Sequence, residues 1–491
     1  MTMMIKTQPL LSIGALGVCL LVQGCTSMKL GDKPSSEPPL PTQFPNASGS
    51  TSTATMSWRE YFKDPVLVSL IGTALENNQE LNILLQEINV SKSEVRARKG
   101  AIFPFLRLGA GGGLEKTSLF TRDGVVEDNH PIEPGKAFPE PLPDFTFAAD
   151  FDWEVDIWRK LRNERDAAVL RYLATQEGRN FMVTNLVAEM AESYYELLAL
   201  DNQLIILNAM IENQQNALKA VRLQKDAAKV TELAVKRFEA EVAKNQSRLY
   251  NIQQQITVTE NKLNYLAGRY PQPIRRKSGN FDRLALSAVH AGLPAELLRN
   301  RPDVRQAELE LAATGLEVKA AGARFYPSLN ISAALGLQSF SMDSVLSTPE
   351  SMIYKAAGEM VAPLVNRSAI KAAFASANAR QVAAIYEYQQ AVLKAYIDVV
   401  NQLAQIRNLN RSFSLKKQQV QALADANSVV GQLFNSARAD YTEVLLTQRD
   451  ALESREDLIE LKQQQLTAFV KAYKALGGGY DRNVGDGGKP L

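Results

Sequence analysis

Cysteine and histidine are nearly absent from this chain. Its 491 residues hold two cysteines, Cys19 and Cys25, both within the first 25 positions. A disulfide framework is thereby excluded. The two histidines, His130 and His290, give a His-rich metal site or a Ser-His-Asp triad little to work with; both read as solvated loop residues. An excess of one charge is also missing. Lysine and arginine number 55 and aspartate and glutamate 53, a net charge of +2, which argues against nucleic acid held by a basic field. After position 25 no run of about 18 apolar residues occurs, so no membrane-crossing helix is expected. Gly111-Gly112-Gly113 and Gly477-Gly478-Gly479 lack the Gly-Lys-Ser/Thr of a phosphate loop and read as loop or helix-end glycines. No Gly-x-Ser-x-Gly is present. These absences point away from an enzyme, a metal site and a cofactor.

What is present begins at the N-terminus. Lys6 gives a weak positive start, Leu10 to Val22 is almost wholly apolar, and Val22-Gln23-Gly24-Cys25 follows. The apolar run is too short to span a bilayer and reads as a secretory signal, set aside from the fold. A small residue before cysteine here resembles the lipobox of bacterial lipoproteins. The resemblance implies cleavage after residue 24 and a lipid on the Cys25 thiol. Gln23 departs from the usual small residue, so an ordinary signal with an accidental cysteine is the alternative. Thr26 is not the aspartate that keeps enterobacterial lipoproteins in the inner membrane, which favours the outer membrane. Residues 25–55, with prolines at 34, 38, 39, 41 and 45, read as an extended strap from that anchor.

The body mixes two periodicities. Phe145, Phe147, Ala149, Phe151, Trp153 and Val155 alternate with Thr146, Ala148, Asp150, Asp152 and Glu154. A period of two, aromatic on one side and acidic on the other, is a half-buried strand. It also suits a barrel wall with lipid outside and water inside, with Asp150, Asp152 and Glu154 as candidate duct-lining residues. A soluble antiparallel sheet has the same pattern. Similar segments are expected at about 103–114, 325–341 and 350–366, beside 143–158. Four strands cannot close a membrane barrel, so such a sheet implies an oligomer sharing one barrel.

Two arms are helical. Residues 179–267 contain neither glycine nor proline; as one helix they would run ~130 Å, so a hairpin is expected, over about 163–268. Val187, Met190, Tyr194, Leu197, Leu200, Leu204, Leu207 and Ile211 recur in steps of three and four, a coiled-coil stripe. Residues 364–430 lack both residues too, and Val392, Tyr396, Val399, Leu403, Ile406, Leu409 and Phe413 repeat the spacing. A second hairpin is expected over about 368–476. Alone, each arm reads as a soluble helical bundle.

The halves resemble each other. At an offset of 223, Asn77-Asn78-Gln79-Glu80-Leu81 aligns with Asn300-Arg301-Pro302-Asp303-Val304, and Ile102-Phe103-Pro104 with Phe325-Tyr326-Pro327. Further on, Tyr194-Tyr195-Glu196-Leu197-Leu198 aligns with Tyr396-Ile397-Asp398-Val399-Val400, and Thr231-Glu232-Leu233 with Thr442-Glu443-Val444. The expected fold is a membrane β-barrel continuing into a long α-helical coiled-coil barrel. It carries an internal two-fold repeat of helix, strand, strand, long helix, turn and helix. The repeats occupy 56–290 and 291–479, with a tail at 480–491.

On these residues the chain resembles the outer-membrane efflux factors, the TolC-like and OprM-like channels, nearer their lipoprotein branch. Carrying motifs are Trp58-Arg59-Glu60-Tyr61-Phe62-Lys63-Asp64-Pro65, Ala74-Leu75-Glu76-Asn77-Asn78, Leu297-Leu298-Arg299-Asn300-Arg301-Pro302-Asp303, Ala323-Arg324-Phe325-Tyr326-Pro327 and Ala472-Tyr473-Lys474-Ala475-Leu476-Gly477-Gly478-Gly479.

The resemblance implies a passive exit duct in the outer membrane and a homotrimer. It also implies a periplasmic adaptor at the helix tips and an inner-membrane transporter, commonly proton-driven, that supplies the energy. It implies no cofactor beyond the lipid at Cys25. The tips fall near Lys225, Asp226, Ala228 and Thr231, and near Ser436, Ala437, Arg438 and Thr442. The family often has glycine there, where this chain has Asp226 and Ala437. Asp440 sits at or beside a position that related channels fill with an acidic gate ring; the plain alternative is a solvated aspartate capping the next helix. A lipid-anchored coiled-coil scaffold without a pore is the competing function.

Overall fold

The computed structural model describes residues 33–35, 40–45, 52–132, 135–279, 281–284, 288–365, 367–436 and 438–480. The chain divides into two units, Met1–Glu37 and Pro38–Leu491. Of the first, only 33–35 are described, without regular structure. The signal, Cys25 and the tail from 481 lie outside the described residues, as does most of the strap.

Local signals set the elements of the second unit. Helix α1 (Pro65–Asn77) starts where proline fills the first turn and the Asp64 carboxylate accepts from the Val66 amide at 2.8 Å. Both suit a helix start. Asn78 ends α1 and opens α2 (Gln79–Gly100): its side chain accepts from the Leu81 amide at 3.1 Å and donates to the Leu266 carbonyl at 3.0 Å. Strands β1 (Phe105–Glu115) and β2 (Leu142–Val155) follow. Then come α3 (Lys160–Asp226) and α4 (Glu232–Leu266). The order recurs as α5 (Pro302–Ala323), β3 (Ser328–Ser339), β4 (Met352–Val361), α6 (Ser368–Asn435) and α7 (Tyr441–Ala475). At 67 residues, α3 runs ~100 Å.

The alternating segments end sooner than the sequence suggests. β4 stops at Val361, not near 366, because Pro363 has no amide to give a ladder. β3 starts at Ser328 because Phe325 and Tyr326 spend their amides on the carbonyls of Gly322 and Ala323 in the turn leaving α5. The long β1–β2 connection also holds a short helix, Arg122–Asn129, capped by Thr121.

The four strands form one antiparallel sheet in the order β1-β2-β3-β4. Gly336 pairs with Ala148, and a Cβ there would lie 2.4 Å from the Phe147 carbonyl oxygen, so the strands approach too closely for a side chain. The helices lie side by side in a matching wall. Near the strands its order is α2, α3, α5, α6; near the hairpin turns it is α4, α3, α7, α6.

A layer containing Trp58, Tyr61, Phe62 and α1 covers one face of α3 and α7. There the stripe residues Val187, Met190, Tyr194 and Leu197 are buried. Tyr61 and Tyr473 stack at 4.1 Å, and their hydroxyls donate to the carbonyls of Phe469 (2.9 Å) and Met56 (2.6 Å). Each buried hydroxyl thus has an acceptor, as burial demands, and burial pushes the Tyr61 pKa upward.

Candidate channel wall and helix tips

The register sorts the sheet into two chemistries. One face carries Leu106, Leu108, Ala110 and Gly112 of β1 and Phe145, Phe147, Ala149, Phe151, Trp153 and Val155 of β2. It continues through Leu329, Ile331, Ala333, Leu335 and Leu337 of β3 to Met352, Tyr354, Ala356, Gly358 and Met360 of β4. Only Ser339, at the end of β3, breaks the apolar run. Leu108 is 84% exposed and Tyr354 81%. An apolar face this broad left bare marks a lipid or protein contact.

The opposite face is mostly polar. It holds Arg107, Asp144, Thr146, Asp150, Asp152, Glu154, Asn330, Ser332, Gln338, Lys355 and Glu359, with Phe105, Ile353 and Val361 among its large apolar members. Asp150, Asp152 and Glu154 therefore share one face; Asp152 takes an ion pair from Arg107 and Glu154 one from Lys160.

That Lys160–Glu154 pair carries the polar face from strand to helix. Glu164, one turn on in α3, receives Arg98 of α2 and Arg324 beside α5, each at 3.2 Å. Arg171 pairs with Glu317 at 2.7 Å. Deeper along α3, Asn185, Ala188, Glu189 and Glu192 line a groove. At 100° per residue they lie roughly 150° around the helix from Val187, Met190 and Tyr194. The wall thus has a covered apolar side and a charged grooved side.

Aspartate and tryptophan side chains fix the passage between sheet and helices. Asp156, buried, accepts from the amides of Leu161 and Arg162, each at 3.0 Å, and so caps α3. Trp153 donates its indole N–H to the Ile102 carbonyl at 3.0 Å.

The two hairpin turns come together at the far end. Leu218, Val221, Val235 and Phe238 of the first hairpin and Val430 and Val444 of the second share one apolar cluster. In the first turn Lys225 pairs with Glu232 at 2.6 Å, and Thr231 stands at the N-cap of α4 without a side-chain capping bond. The residue with left-handed backbone is Ala228 (φ 55°) and not Asp226. Its amide bonds Lys225 and that of Lys229 bonds Gln224, which closes the helix end.

In the second turn Ser436 follows α6, the Arg438 amide donates to the Leu433 carbonyl, and Ala437 lies outside the described residues. Asp440 stands at the N-cap of α7, exposed, yet its side chain makes no capping bond; among the described residues only the Thr442 hydroxyl reaches it, at 3.4 Å. The capping reading fails at the level of the side chain.

Sequence reasoning missed the basic members of the groove, Lys262, Lys394, Lys471 and Lys474. Lysine is common over all these helix surfaces, and only packing shows which lysines converge. Among the described residues no group of three or more possible metal ligands converges, and no helix is long and apolar enough to cross a membrane.

A family model described as outer membrane efflux protein matches residues 70–269 and 293–478. The pyoverdine export outer membrane protein OpmQ of Pseudomonas aeruginosa is 26% identical over 472 residues, covering 96% of this chain and 97% of that one. The cation efflux system protein CusC of Escherichia coli is 25% identical over 472 residues, covering 95% and 98%. Among solved structures, a CusC crystal structure aligns with a TM-score of 0.80 at 24% identity, covering 91% of this chain and 99% of that one. The open-state MtrE outer membrane channel of Neisseria gonorrhoeae aligns with a TM-score of 0.79 at 22% identity, covering 93% and 98%.

Proposed function

This chain belongs to the outer membrane efflux protein family, and from that premise we propose that it is the outer-membrane exit duct of a tripartite efflux pump. It conducts passively and is not an enzyme; a periplasmic adaptor and a proton-driven inner-membrane transporter supply substrate and energy. The observation that carries the reading is the two-faced sheet, apolar on one side and predominantly polar on the other, with strands of 10 to 14 residues, enough for the roughly 9–11 that a tilted membrane strand needs.

Closure needs more than one copy. Within the chain β1 and β4 are the sheet edges, and unpaired edges are not stable in hydrocarbon. We assign the missing partner to a second copy, β1 of one chain on β4 of the next, a head-to-tail contact that closes into a ring. The flanking helices support this. Ile83 on α2 and Tyr386 on α6, nearer the strands, and Tyr250 on α4 and Leu415 on α6, nearer the turns, are exposed apolar residues on the end helices of the wall. The proposed ring is a homotrimer of twelve strands, built on a duplicated half, with a lipid at Cys25 as its anchor. Asp150, Asp152 and Glu154 line the duct. The tip residues Lys225, Asp226, Ala228, Thr231, Ser436, Ala437, Arg438 and Thr442 form the adaptor contact, and Asp440 the gate.

A lipid-anchored scaffold without a pore explains the helices but leaves the bare apolar face of the sheet without a role. Relatives bear names for pyoverdine export and for cation efflux, so the exported substrate is not set by the family. The test is single-channel recording of the purified full chain in a planar bilayer. Discrete, long-lived conductance steps are expected; a folded oligomer that never inserts would sink the duct reading in favour of the scaffold.

A further inference from the structure

We propose that the groove beside α3, α5, α6 and α7 is an anion-binding station for solutes that carry carboxylate or phosphate groups. Its place on the solute path rests on the duct reading; the binding itself does not.

The groove measures about 660 Å³, room for a small multivalent organic ion. Its charges are unequally matched. Five cations, Arg301, Lys262, Lys394, Lys471 and Lys474, face four carboxylates, Glu189, Glu192, Asp303 and Asp398. Arg301 takes two of the carboxylates, Asp303 at 2.6 Å and Asp398 at 3.1 Å. Lys262 takes Glu189 at 3.2 Å, and Lys471 reaches Glu192 only at 3.9 Å. Lys394 and Lys474 are left with no carboxylate within 4.0 Å among the described residues.

Lys474 is half-buried, and burial pushes its pKa down although Glu192 and Asp398 pull it up. Burial likewise raises the Glu192 pKa against the pull of Lys471 and Lys474, so burial works against the charge of this carboxylate too. An ammonium short of both water and counter-ion is stabilised by a bound anion.

The groove nearer the sheet differs. There Arg98, Arg171 and Arg324 have glutamate partners on neighbouring segments, and one cation, Arg380, has no carboxylate within 4.0 Å among the described residues. Three of its four cations hold helices together, whereas two of the five in the lower groove lack a carboxylate partner among the described residues. Lysine also suits a station that must release its guest, being a hydrated point charge on a flexible stem without the bidentate grip of arginine. In a ring of three chains, six such lysines would stand at one level of the duct.

The test is calorimetric titration of the purified full-chain oligomer in detergent with citrate, at fixed ionic strength and neutral pH. Saturable binding is expected in the wild type. It should weaken about tenfold or more in Lys394→Gln/Lys474→Gln and stay unchanged in Arg98→Gln. No saturable binding by the wild type, or equal binding by wild type and double variant, overturns the proposal. Should the double variant not assemble, Lys394→Gln alone, at an exposed position, is expected to weaken citrate about threefold; no change overturns the proposal. A wild type that conducts in a bilayer but binds no citrate removes the station and keeps the duct. One that binds citrate through these lysines but never conducts keeps the station and removes the duct.

Discussion

The indole N–H of Trp158, just beyond β2, donates to the carbonyl of Pro327, just before β3, at 2.7 Å. The Trp158 ring also stacks on Tyr326, with centroids 4.8 Å apart. The place where the first half turns from strand into helix is thus tied to the place where the second half turns from helix into strand. A ring that is apolar in body and polar at one edge suits a membrane–water boundary.

Replacing that ring separates its two contributions. Trp158→Phe keeps the stack and loses the hydrogen bond, an expected cost of about 1 kcal/mol. Trp158→Ala loses both and should cost about 1 kcal/mol more. The temperature at which the proposed oligomer dissociates in dodecyl sulfate should fall in the order wild type, Phe, Ala. Coincident Phe and Ala values would show that the stack contributes nothing.

Arg276 draws the segment after α4 back onto the helices. Its guanidinium pairs with Asp201 of α3, at 2.6 and 2.8 Å, and with Glu260 of α4. All three side chains are largely buried. Arg276→Met strands two carboxylates in a poorly solvated site, and a cost of about 3–5 kcal/mol is expected at neutral pH. A buried carboxylate without a partner is costly only while charged, so the loss is expected to be larger at neutral than at acidic pH. Thermal unfolding at neutral and at acidic pH measures the difference; an equal loss at both would show that lost packing, not stranded charge, dominates.

Ala228 has the left-handed backbone that glycine adopts without cost. Ala228→Gly removes a strain of about 1 kcal/mol, offset in part by the greater freedom of glycine in the unfolded chain. A small net stabilisation is expected. Ala228→Val should destabilise, because a β-branched side chain tolerates this region least. Hydrogen exchange at the amides of residues 224–232 reads the local effect, and slower exchange in the valine variant would contradict it.

The sequence disclosed the parts of this molecule that obey a period. β2 and β3 were legible because aromatic and branched residues alternate with polar ones without interruption. β1 was weaker, since Gly109 and Gly111 to Gly113 dilute the pattern, and β4 was placed mainly by its neighbours. The hairpins were legible from long stretches without glycine or proline. Other features depend on contacts that no local pattern encodes. Which tip residue turns left-handed was missed, because Ala228 carries no turn chemistry. The unmatched lysines were missed because a charge is solitary only with respect to other segments of the folded chain.

Glu192 gives a pH dependence of known sign. Burial raises its pKa above the ordinary 4.5, against the pull of Lys471 and Lys474. Ionising it in the folded state therefore costs stability. That cost is absent below the unfolded pKa and complete once pH exceeds the raised folded value. Glu192→Gln is expected to raise the unfolding temperature at about pH 8 and leave it unchanged near about pH 4. A lower unfolding temperature at about pH 8 would mean that its ion pair with Lys471 outweighs burial.

Asp440 offers a test in which stability and conductance separate. An N-cap aspartate whose side chain bonds the helix amides costs about 1 kcal/mol when changed to alanine. Asp440 makes no such bond and is exposed, so Asp440→Ala should unfold within a degree or two of wild type. Three carboxylates around a closed tip would repel one another and collect cations. In a planar bilayer the variant is therefore expected to show a larger conductance, weaker cation selectivity and less block by divalent cations. Asp440→Asn should follow alanine, since it removes the charge and keeps the shape. If conductance and block match wild type while the variant remains folded, the duct stands and the constriction lies elsewhere. If asparagine behaves as wild type and alanine does not, the side chain acts by filling space and the electrostatic account of the gate is wrong.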